Sequence, residues 1–310
     1  MFFRKWFEPK PFNAGFLPEE GGHLVHYEEY GNPQGIPVLL THGGPGGSVK
    51  VKHVTAFNLK KFRVIAFDQR GCGKSQPFGK LENNTTQDTL HDMKRLLDYL
   101  QVNEPVVLRG GSWASALMLL FAEKYPQLVR HMVLSQVFWA DTAYTSRWEL
   151  GEAARFYPDF AEEMRNAVPA GESFYEFYYR KALSDNKSEQ LAAKNLYGAY
   201  ERLLGQLNLP AAVEDIDEVS LAYMRIYMQY AANGFYLERD EVINHLDKIK
   251  NIPAVIIHNR LDFVCPVEQA YIVHKALPQS RLIIVPDKGH VSDKLHQTIR
   301  DEIKKLDKVF

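Results

Sequence analysis

The sequence predicts an α/β protein with a mostly parallel central sheet, helices on both faces of the sheet and an inserted helical segment. In the first and last parts of the chain, short apolar runs rich in β-branched residues alternate with helical patterns. Such alternation is typical of a parallel sheet that is covered on both faces. The middle of the chain is instead dense in aromatic residues, helical in its spacing and poor in strand patterns. We therefore expect one sheet built from two separate pieces of chain.

The two pieces that form the sheet are residues 1–137 and 246–310, and the inserted segment lies between them. In the first piece, residues 1–137, the predicted strands are 37–40, 62–67 and 105–108, with a helix over 86–100 that Thr86 caps. In the second piece, residues 246–310, the predicted elements are strands 252–257 and 281–285 and helices 267–277 and 295–306. The intervening residues 138–245 are predicted to form a helical cap, and such insertions usually shape a substrate pocket.

Composition indicates an ordinary globular protein without a nucleic-acid or membrane partner. The chain has 310 residues, of which 45% are apolar and 24% charged, with a formal net charge of −1. Two widely separated cysteines, Cys72 and Cys265, do not make a disulfide framework, so we expect a cytoplasmic location. The apolar segment at residues 1–6 is too short for a secretory signal, and we expect a surface strand or arm there.

A glycine-rich turn after the third predicted strand carries a candidate nucleophile, Ser112. The turn reads Gly110-Gly111-Ser112-Trp113-Ala114 and lies between an apolar strand and an apolar helix. This is the context in which a nucleophile elbow forms, and the residues beside the serine must be small there. The strict pattern ends in glycine, so Ala114 departs from it by one methyl group. Gly-Gly-Ser also occurs in ordinary loops, and the motif alone leaves a structural role open.

An acid and a base follow the serine in the chain order that this arrangement requires. Asp262 comes just after the strand at 252–257, and His290 just after the strand at 281–285. Parallel sheets build their sites at the carboxyl ends of their strands, so we expect these side chains to meet Ser112. His290 would take the proton of Ser112, and Asp262 would orient the imidazole. Asp287 is a competing acid, but it lies on the same loop as His290.

The loop after the first core strand is a candidate oxyanion hole. It reads His-Gly-Gly-Pro-Gly-Gly over residues 42–47, and a glycine loop lets the backbone approach a substrate closely. Acyl transfer needs preorganised N–H donors, for which we expect the amide of Trp113 together with that of Gly44 or Gly43. A phosphate site is disfavoured because the loop lacks the P-loop pattern. Cys72 as nucleophile is disfavoured because no histidine loop pairs with it.

At these residues the chain resembles the proline iminopeptidases (prolyl aminopeptidases), serine peptidases of the α/β-hydrolase superfamily. The resemblance runs nearly from end to end. The matching stretches are the opening segment 11–33, the glycine loop 42–47, the DQRGCGKS motif 68–75, residues 84–86, the GGSWAS turn 110–115, residues 262–266 and residues 289–290. The resemblance implies the α/β-hydrolase fold and removal of an N-terminal residue, typically proline, from a peptide.

The resemblance also implies that carboxylates on the cap bind the substrate's free amine. One falls in the family's Trp-Glu motif, which is Tyr200-Glu201 here, so Glu201 is the candidate. The other belongs to a Glu-Asn-His-Tyr-Phe motif, in which this chain has Ala232 in place of the glutamate. The family's Arg-Gly-Ile-Phe is likewise changed to Ser-Gln-Val-Phe at residues 135–138. Halving the carboxylates should weaken capture of an ammonium, and Glu201 could instead be a solvated helix residue.

The sequence therefore predicts a serine hydrolase that forms an acyl-enzyme on Ser112 without a metal or organic cofactor. Its expected substrate is a short peptide with N-terminal proline or another small residue. Three aromatic residues could frame a pocket for a proline ring or could pack the cap's own core: Phe138, Phe235 and Tyr236. An esterase or amidase without amine specificity is the alternative enzyme. A non-catalytic binding scaffold is the alternative outside enzymes, although such a scaffold has no need of all three catalytic residues.

Overall fold

The computed structural model describes residues 8–207 and 217–310. Within them an eight-stranded sheet has the order β1-β2-β4-β3-β5-β6-β7-β8, in which the β1-β2 and β2-β4 pairings are antiparallel and the other five are parallel. The strands are Asn13–Phe16, His26–Gly31, Ile36–Leu40, Phe62–Phe67, Val106–Ser112, Val129–Val137, Ala254–Leu261 and Ser280–Lys288. The predicted α/β-hydrolase class is confirmed. The predicted arm at residues 1–6 lies outside the described residues.

Eleven α-helices accompany the sheet in the described residues. In chain order α1 to α11 they are Val51–Val54, Thr86–Tyr99, Trp113–Lys124, Thr142–Arg147, Pro158–Ala167, Phe174–Ala182, Lys187–Gln206, Glu218–Ala232, Glu241–Asn244, Val267–Ala276 and Asp293–Leu306. The helices α4 to α9 all fall between β6 and β7, and the described part of that interval contains no strand. None of the described helices is long and apolar enough to cross a lipid bilayer.

The central strands are apolar over nearly their whole length because both faces of the sheet are covered. Side chains alternate between the faces, so Leu39 and Leu108 pack on one side and Val38 and Val107 on the other. The first side also packs against the helices between β6 and β7. The second side is covered by α1 and α11. The sheet's carboxyl edge thus lies between two helical layers.

The cap residue of α2 differs from the prediction by one position. Thr85 is the N-cap: its hydroxyl accepts a hydrogen bond from the Asp88 amide, and the Asp88 carboxylate accepts one from the Thr85 amide. This reciprocal capping box fixes the start of the helix. Thr86 is fully buried, and its hydroxyl instead donates to the carbonyl of Phe235. Thr86 therefore ties α2 to a distant turn, a contact that helical spacing alone does not reveal.

Candidate active site

Ser112 occupies a strained turn between β5 and α3. Its backbone has φ 57° and ψ −135°, a region that costs a non-glycine residue on the order of 1–3 kcal/mol. A Cβ at position 110 would lie 2.3 Å from the Ala114 carbonyl oxygen, so only glycine fits there. Ala114 itself is fully buried without such a clash. The turn presents Ser112 to two cavities at the sheet's carboxyl edge.

The structure brings Asp262 and His290 together from the ends of β7 and β8. The Nδ1 atom of His290 lies 2.8 Å from Oδ2 of Asp262. The other carboxylate oxygen accepts hydrogen bonds from the amides of Val264 and Cys265, at 3.0 and 2.9 Å. Burial acts to lower the pKa of His290, but the Asp262 charge and its hydrogen bond outweigh burial and raise it above the ordinary value. The carboxylate therefore orients the imidazole and stabilises its protonated form.

Ser112 and His290 line the same two cavities. No hydrogen bond within 3.5 Å joins the serine hydroxyl to the imidazole in the described ranges. Such bonds are often long before substrate binds and tighten in the reacting complex. The buried thiol of Cys265 lies beside the serine hydroxyl, and burial raises the pKa of that thiol well above its ordinary value. Cys265 is thus a neutral neighbour of the nucleophile.

The competing candidates have other roles in the structure. The Asp287 carboxylate accepts a hydrogen bond from the adjacent Lys288 amide and does not contact the His290 ring. The ring of His258 accepts from the Val137 amide and donates to the Cys265 carbonyl, and burial lowers its pKa. Cys72 is buried, with its thiol donating to the Arg70 carbonyl. None of these three residues lines the cavities at Ser112.

The glycine loop after β3 lies against the nucleophile. A Cβ at position 43 would lie only 3.2 Å from Cβ of Ser112. The backbone at Gly43 therefore approaches the serine so closely that a larger residue would crowd it. Gly44 has φ 121° and lines both cavities. Trp113 follows the serine, and its buried ring is fixed by a 2.9 Å hydrogen bond from Nε1 to Gln69. The three candidate oxyanion residues therefore surround Ser112.

The smaller cavity, of about 250 Å³, holds two glutamates with Ser112 and His290. The predicted Glu201 is half-buried on α7, and its Oε1 accepts a 2.9 Å hydrogen bond from the Tyr223 hydroxyl. Burial raises the pKa of Glu201, more than the Tyr223 hydroxyl and His290 lower it. No ion pair joins Glu201 to Arg202 within the described residues, although Arg202 lines the same cavity.

The second glutamate, Glu149, is a residue that the sequence reasoning missed. It lies in a π-helical turn, Trp148–Glu152, that continues α4, and such turns are frequent at functional sites. Its side chain is 5% exposed, and its Oε2 accepts a 2.8 Å hydrogen bond from the Tyr175 hydroxyl. Burial, with a smaller contribution from the nearby Glu201, raises the pKa of Glu149 to about 8. No sequence motif identifies Glu149 as a site residue. The only indication of it in the sequence was an acidic residue within a stretch rich in aromatic residues.

The three predicted aromatic residues separate in the structure. Phe138 lines the smaller cavity. Phe235 is fully buried, with its ring against those of Trp113 and Phe138, and does not line either cavity at Ser112. Tyr236 is also outside both cavities, where its hydroxyl accepts a hydrogen bond from Gln229. Phe235 therefore packs behind Phe138 and does not itself face the cavities.

The helix α7 is hydrogen-bonded directly to the loop that carries His290. The backbone N–H of His290 donates to the carbonyl of Gly205 at 2.7 Å. A Cβ at Gly289 would lie 2.8 Å from that same carbonyl, and Gly289 has φ 82°, so glycine is required there. Because Glu201 lies on the same helix, α7 positions both the Glu201 carboxylate in the cavity and the backbone of His290.

Comparison with known proteins agrees with this fold. The family model described as the alpha/beta hydrolase fold matches residues 36–292. Among solved structures, that of VinJ superposes with a TM-score of 0.60 at 20% identity and covers 96% of this chain and 99% of its own. The protein thus belongs to the family with the α/β-hydrolase fold.

Curated relatives define the family more narrowly. A protein of Leptolyngbya boryana named probable proline iminopeptidase is 36% identical over 287 residues, which is 90% of this chain and 89% of the relative. The proline iminopeptidase of Neisseria gonorrhoeae is 32% identical over 314 residues, covering 96% of this chain and 98% of the relative. This chain belongs to the proline iminopeptidase family, and the resemblance seen in the sequence is confirmed.

Proposed function

We propose that the enzyme is a serine aminopeptidase that releases N-terminal proline, or another small residue, from short peptides. The observation that carries the proposal is the pair Glu149 and Glu201, which share a small cavity with Ser112 and His290. A hydrolase that cleaved blocked substrates would have no use for two buried carboxylates beside its nucleophile. The names of the relatives point to the same activity.

The proposed reaction is acyl transfer in two steps. His290 takes the proton of Ser112 as the serine oxygen attacks the substrate carbonyl, and the amides of Trp113 and Gly44 or Gly43 stabilise the oxyanion. The peptide bond then breaks, and His290 gives the proton to the leaving amine. Water attacks the resulting ester with His290 again as base, which frees the acid and regenerates the serine. The 2.8 Å contact from Asp262 to His290 supports this assignment of roles.

The carboxylate pair would bind the substrate's protonated amine. Two like charges in one cavity repel each other, and the Glu201 charge adds to the burial that raises the pKa of Glu149. A primary or secondary ammonium group placed between them removes the repulsion and supplies hydrogen bonds to the oxygens that the two tyrosine hydroxyls leave open. Phe138 adds an apolar wall suited to a proline ring. The acyl residue is thereby held with its carbonyl towards Ser112.

We further propose that Glu149 supplies the carboxylate that is absent at position 232. Ala232, at the end of α8, is packed against the apolar core and has no charge to offer. Glu149 reaches the cavity from a different segment, the turn after α4. In this proposal, residues 138–245 act as the cap that holds both glutamates over the nucleophile.

Three substrates test the proposed function: proline p-nitroanilide, its N-acetylated form and a simple p-nitrophenyl ester. We expect turnover of the free-amine anilide to exceed that of the blocked anilide by at least about tenfold in kcat/KM, since a charge-assisted contact is lost on blocking. Equal turnover of the two anilides would contradict the aminopeptidase and favour the esterase or amidase. Labelling by a fluorophosphonate, lost in Ser112→Ala, separates both enzymes from a binding scaffold.

A further inference from the structure

The larger cavity at Ser112 is basic where the smaller one is acidic. It has a volume of about 830 Å³ and extends from Ser112 and His290 along the face of the sheet that α1 and α11 cover. Three cationic side chains line it: Lys52 on α1, Arg109 on β5 and Arg300 on α11. Asp293 is the one carboxylate among its described lining residues, so positive charge is in excess.

Among the described residues, the cations of this cavity have no carboxylate partners. None of Lys52, Arg109 and Arg300 lies within 4.0 Å of an acidic oxygen in the described parts of the chain. Arg109 is unusual because it projects from the central strand of the sheet, where its guanidinium donates to the hydroxyl of Ser135 at 3.1 Å and to two backbone carbonyls. Burial lowers the pKa of Arg109 to about 10, so it is still a cation at neutral pH.

Two of the lining histidines, His53 and His296, lie near the cations and add no charge. Burial, together with the neighbouring Arg109 and Lys52, lowers the pKa of His53 to about 3. Burial also lowers the pKa of His296, together with Lys52, Arg300 and Arg109. Both rings are therefore neutral near pH 7 and can donate hydrogen bonds to an anion. The effect of the cations on the pKa of both histidines agrees with their lining the same cavity.

The two cavities meet at the nucleophile. Gly44, Ser112, Tyr223, His290 and Val291 line both of them. A substrate carbonyl at Ser112 therefore has an acidic cavity on its acyl side and a basic cavity open to its leaving group. Because Arg109 precedes Ser112 by three residues on one strand, the two Cα atoms are about 10 Å apart. An arginine side chain can bridge about half of that distance, which leaves room for one or two peptide residues.

We propose that the basic cavity binds the C-terminal carboxylate of the leaving group, so that the enzyme is selective for dipeptides and tripeptides. This inference rests on the proposed aminopeptidase function and names its substrate class. A short free peptide carries its ammonium and its carboxylate at opposite ends, and the acidic and basic cavities extend from Ser112 to different sets of residues, so each can receive one end. A longer peptide would place its carboxylate beyond the reach of the cations.

The test compares prolyl-alanine with prolyl-alaninamide, which differ in the carboxylate, and uses proline p-nitroanilide as a reference without one. We expect wild-type kcat/KM to be about tenfold higher for the free acid than for the amide, the size of a charge-assisted contact. Lys52→Gln and Arg300→Gln change exposed side chains outside the catalytic machinery. Each should lower kcat/KM for prolyl-alanine about threefold to tenfold through KM and leave the amide and the anilide within about twofold.

Lys294→Gln is the matched control, since Lys294 is exposed on α11 but does not line the cavity. Equal wild-type turnover of the acid and the amide, or equal losses on both substrates in the two cavity variants, would overturn the inference. A loss of the same size in the control would also overturn it. Failure of the proposed function has a different signature, in which the N-acetylated anilide is cleaved as fast as the free one.

Discussion

The sheet edge and the cap contribute to the site in different ways. At the sheet edge Ser112, Asp262 and His290 follow three parallel strands, and each is placed by the strand that precedes it. In the cap, Glu149 and Glu201 come from segments that reach the cavity through packing of aromatic helices. Under the proposed function, the first group carries out the chemistry and the second selects the substrate. Substitutions in the two regions should therefore fail in different ways.

The largest effect should come from Asp262→Asn at the sheet edge. Loss of the charge leaves His290 in the wrong tautomer and removes support for its protonated form, so we expect kcat to fall about 10⁴-fold on anilide and ester alike. Steady-state kinetics on both substrates measure it. Asp287→Asn is the control, because Asp287 lies on the His290 loop without contacting its ring. Comparable losses in the two variants would remove Asp262 from its proposed role.

An intermediate effect should come from the cap. Glu149→Gln and Glu201→Gln should each raise KM for free-amine substrates about tenfold to 100-fold and spare the ester, because only a cation needs the carboxylates. Glu152→Gln, exposed in the same π-helical turn as Glu149, is the matched control. If the glutamine variants impair ester hydrolysis equally, the division between chemistry and recognition is wrong.

The pH dependence sharpens the same comparison. Since burial raises the pKa of Glu149 to about 8, this carboxylate loses its proton, and so gains affinity for a cation, as pH rises from 6 to 8. The ratio of kcat/KM for proline anilide to that for the ester should therefore rise over this range, and dividing by the ester cancels the titration of His290. In Glu149→Gln the ratio should be flat. A rise that persists in the variant would assign the titration to another group.

The smallest effect concerns stability and a buried glutamate that lines neither cavity. Glu123, on α3, is 8% exposed, its Oε1 has no hydrogen-bond partner in the described structure, and burial raises its pKa to about 8. The folded state therefore binds more protons than the unfolded state between about pH 4.5 and 8, so the free energy of unfolding falls as pH rises through this window. Glu123→Gln should stabilise the protein at pH 8 by about 1–2 kcal/mol without changing KM.

Urea denaturation at pH 5 and pH 8 measures this difference. Glu162→Gln, an exposed position on α5, is the control and should leave both unfolding free energies within about 0.5 kcal/mol of the wild type. Glu149→Gln should resemble Glu123→Gln in stability but not in KM, since only Glu149 lines a cavity. Loss of amine specificity in Glu123→Gln would contradict that distinction.

The difference between the two regions also explains what could be predicted from sequence. Strand ends are local features, so apolar runs followed by Gly111-Ser112, Asp262 or His290 sufficed to place these residues on one edge. The approach of Glu149 to Glu201 depends on how α4 and α7 pack across more than 50 positions, and no spacing rule encodes it. Phe235 was predicted to line the pocket because the sequence does not distinguish an aromatic residue that faces a cavity from one packed in the core. In the structure its neighbours bury it completely.

The hydrogen bond from His290 to Gly205 has a kinetic consequence. Because α7 is hydrogen-bonded to the backbone of His290, an outward movement of this helix that admits a peptide would also break this hydrogen bond. Admission and proton transfer would then alternate in time, with the enzyme inactive while its entrance is open. A long chain that props the helix outward would occupy the enzyme without being cut, and would act as an inhibitor.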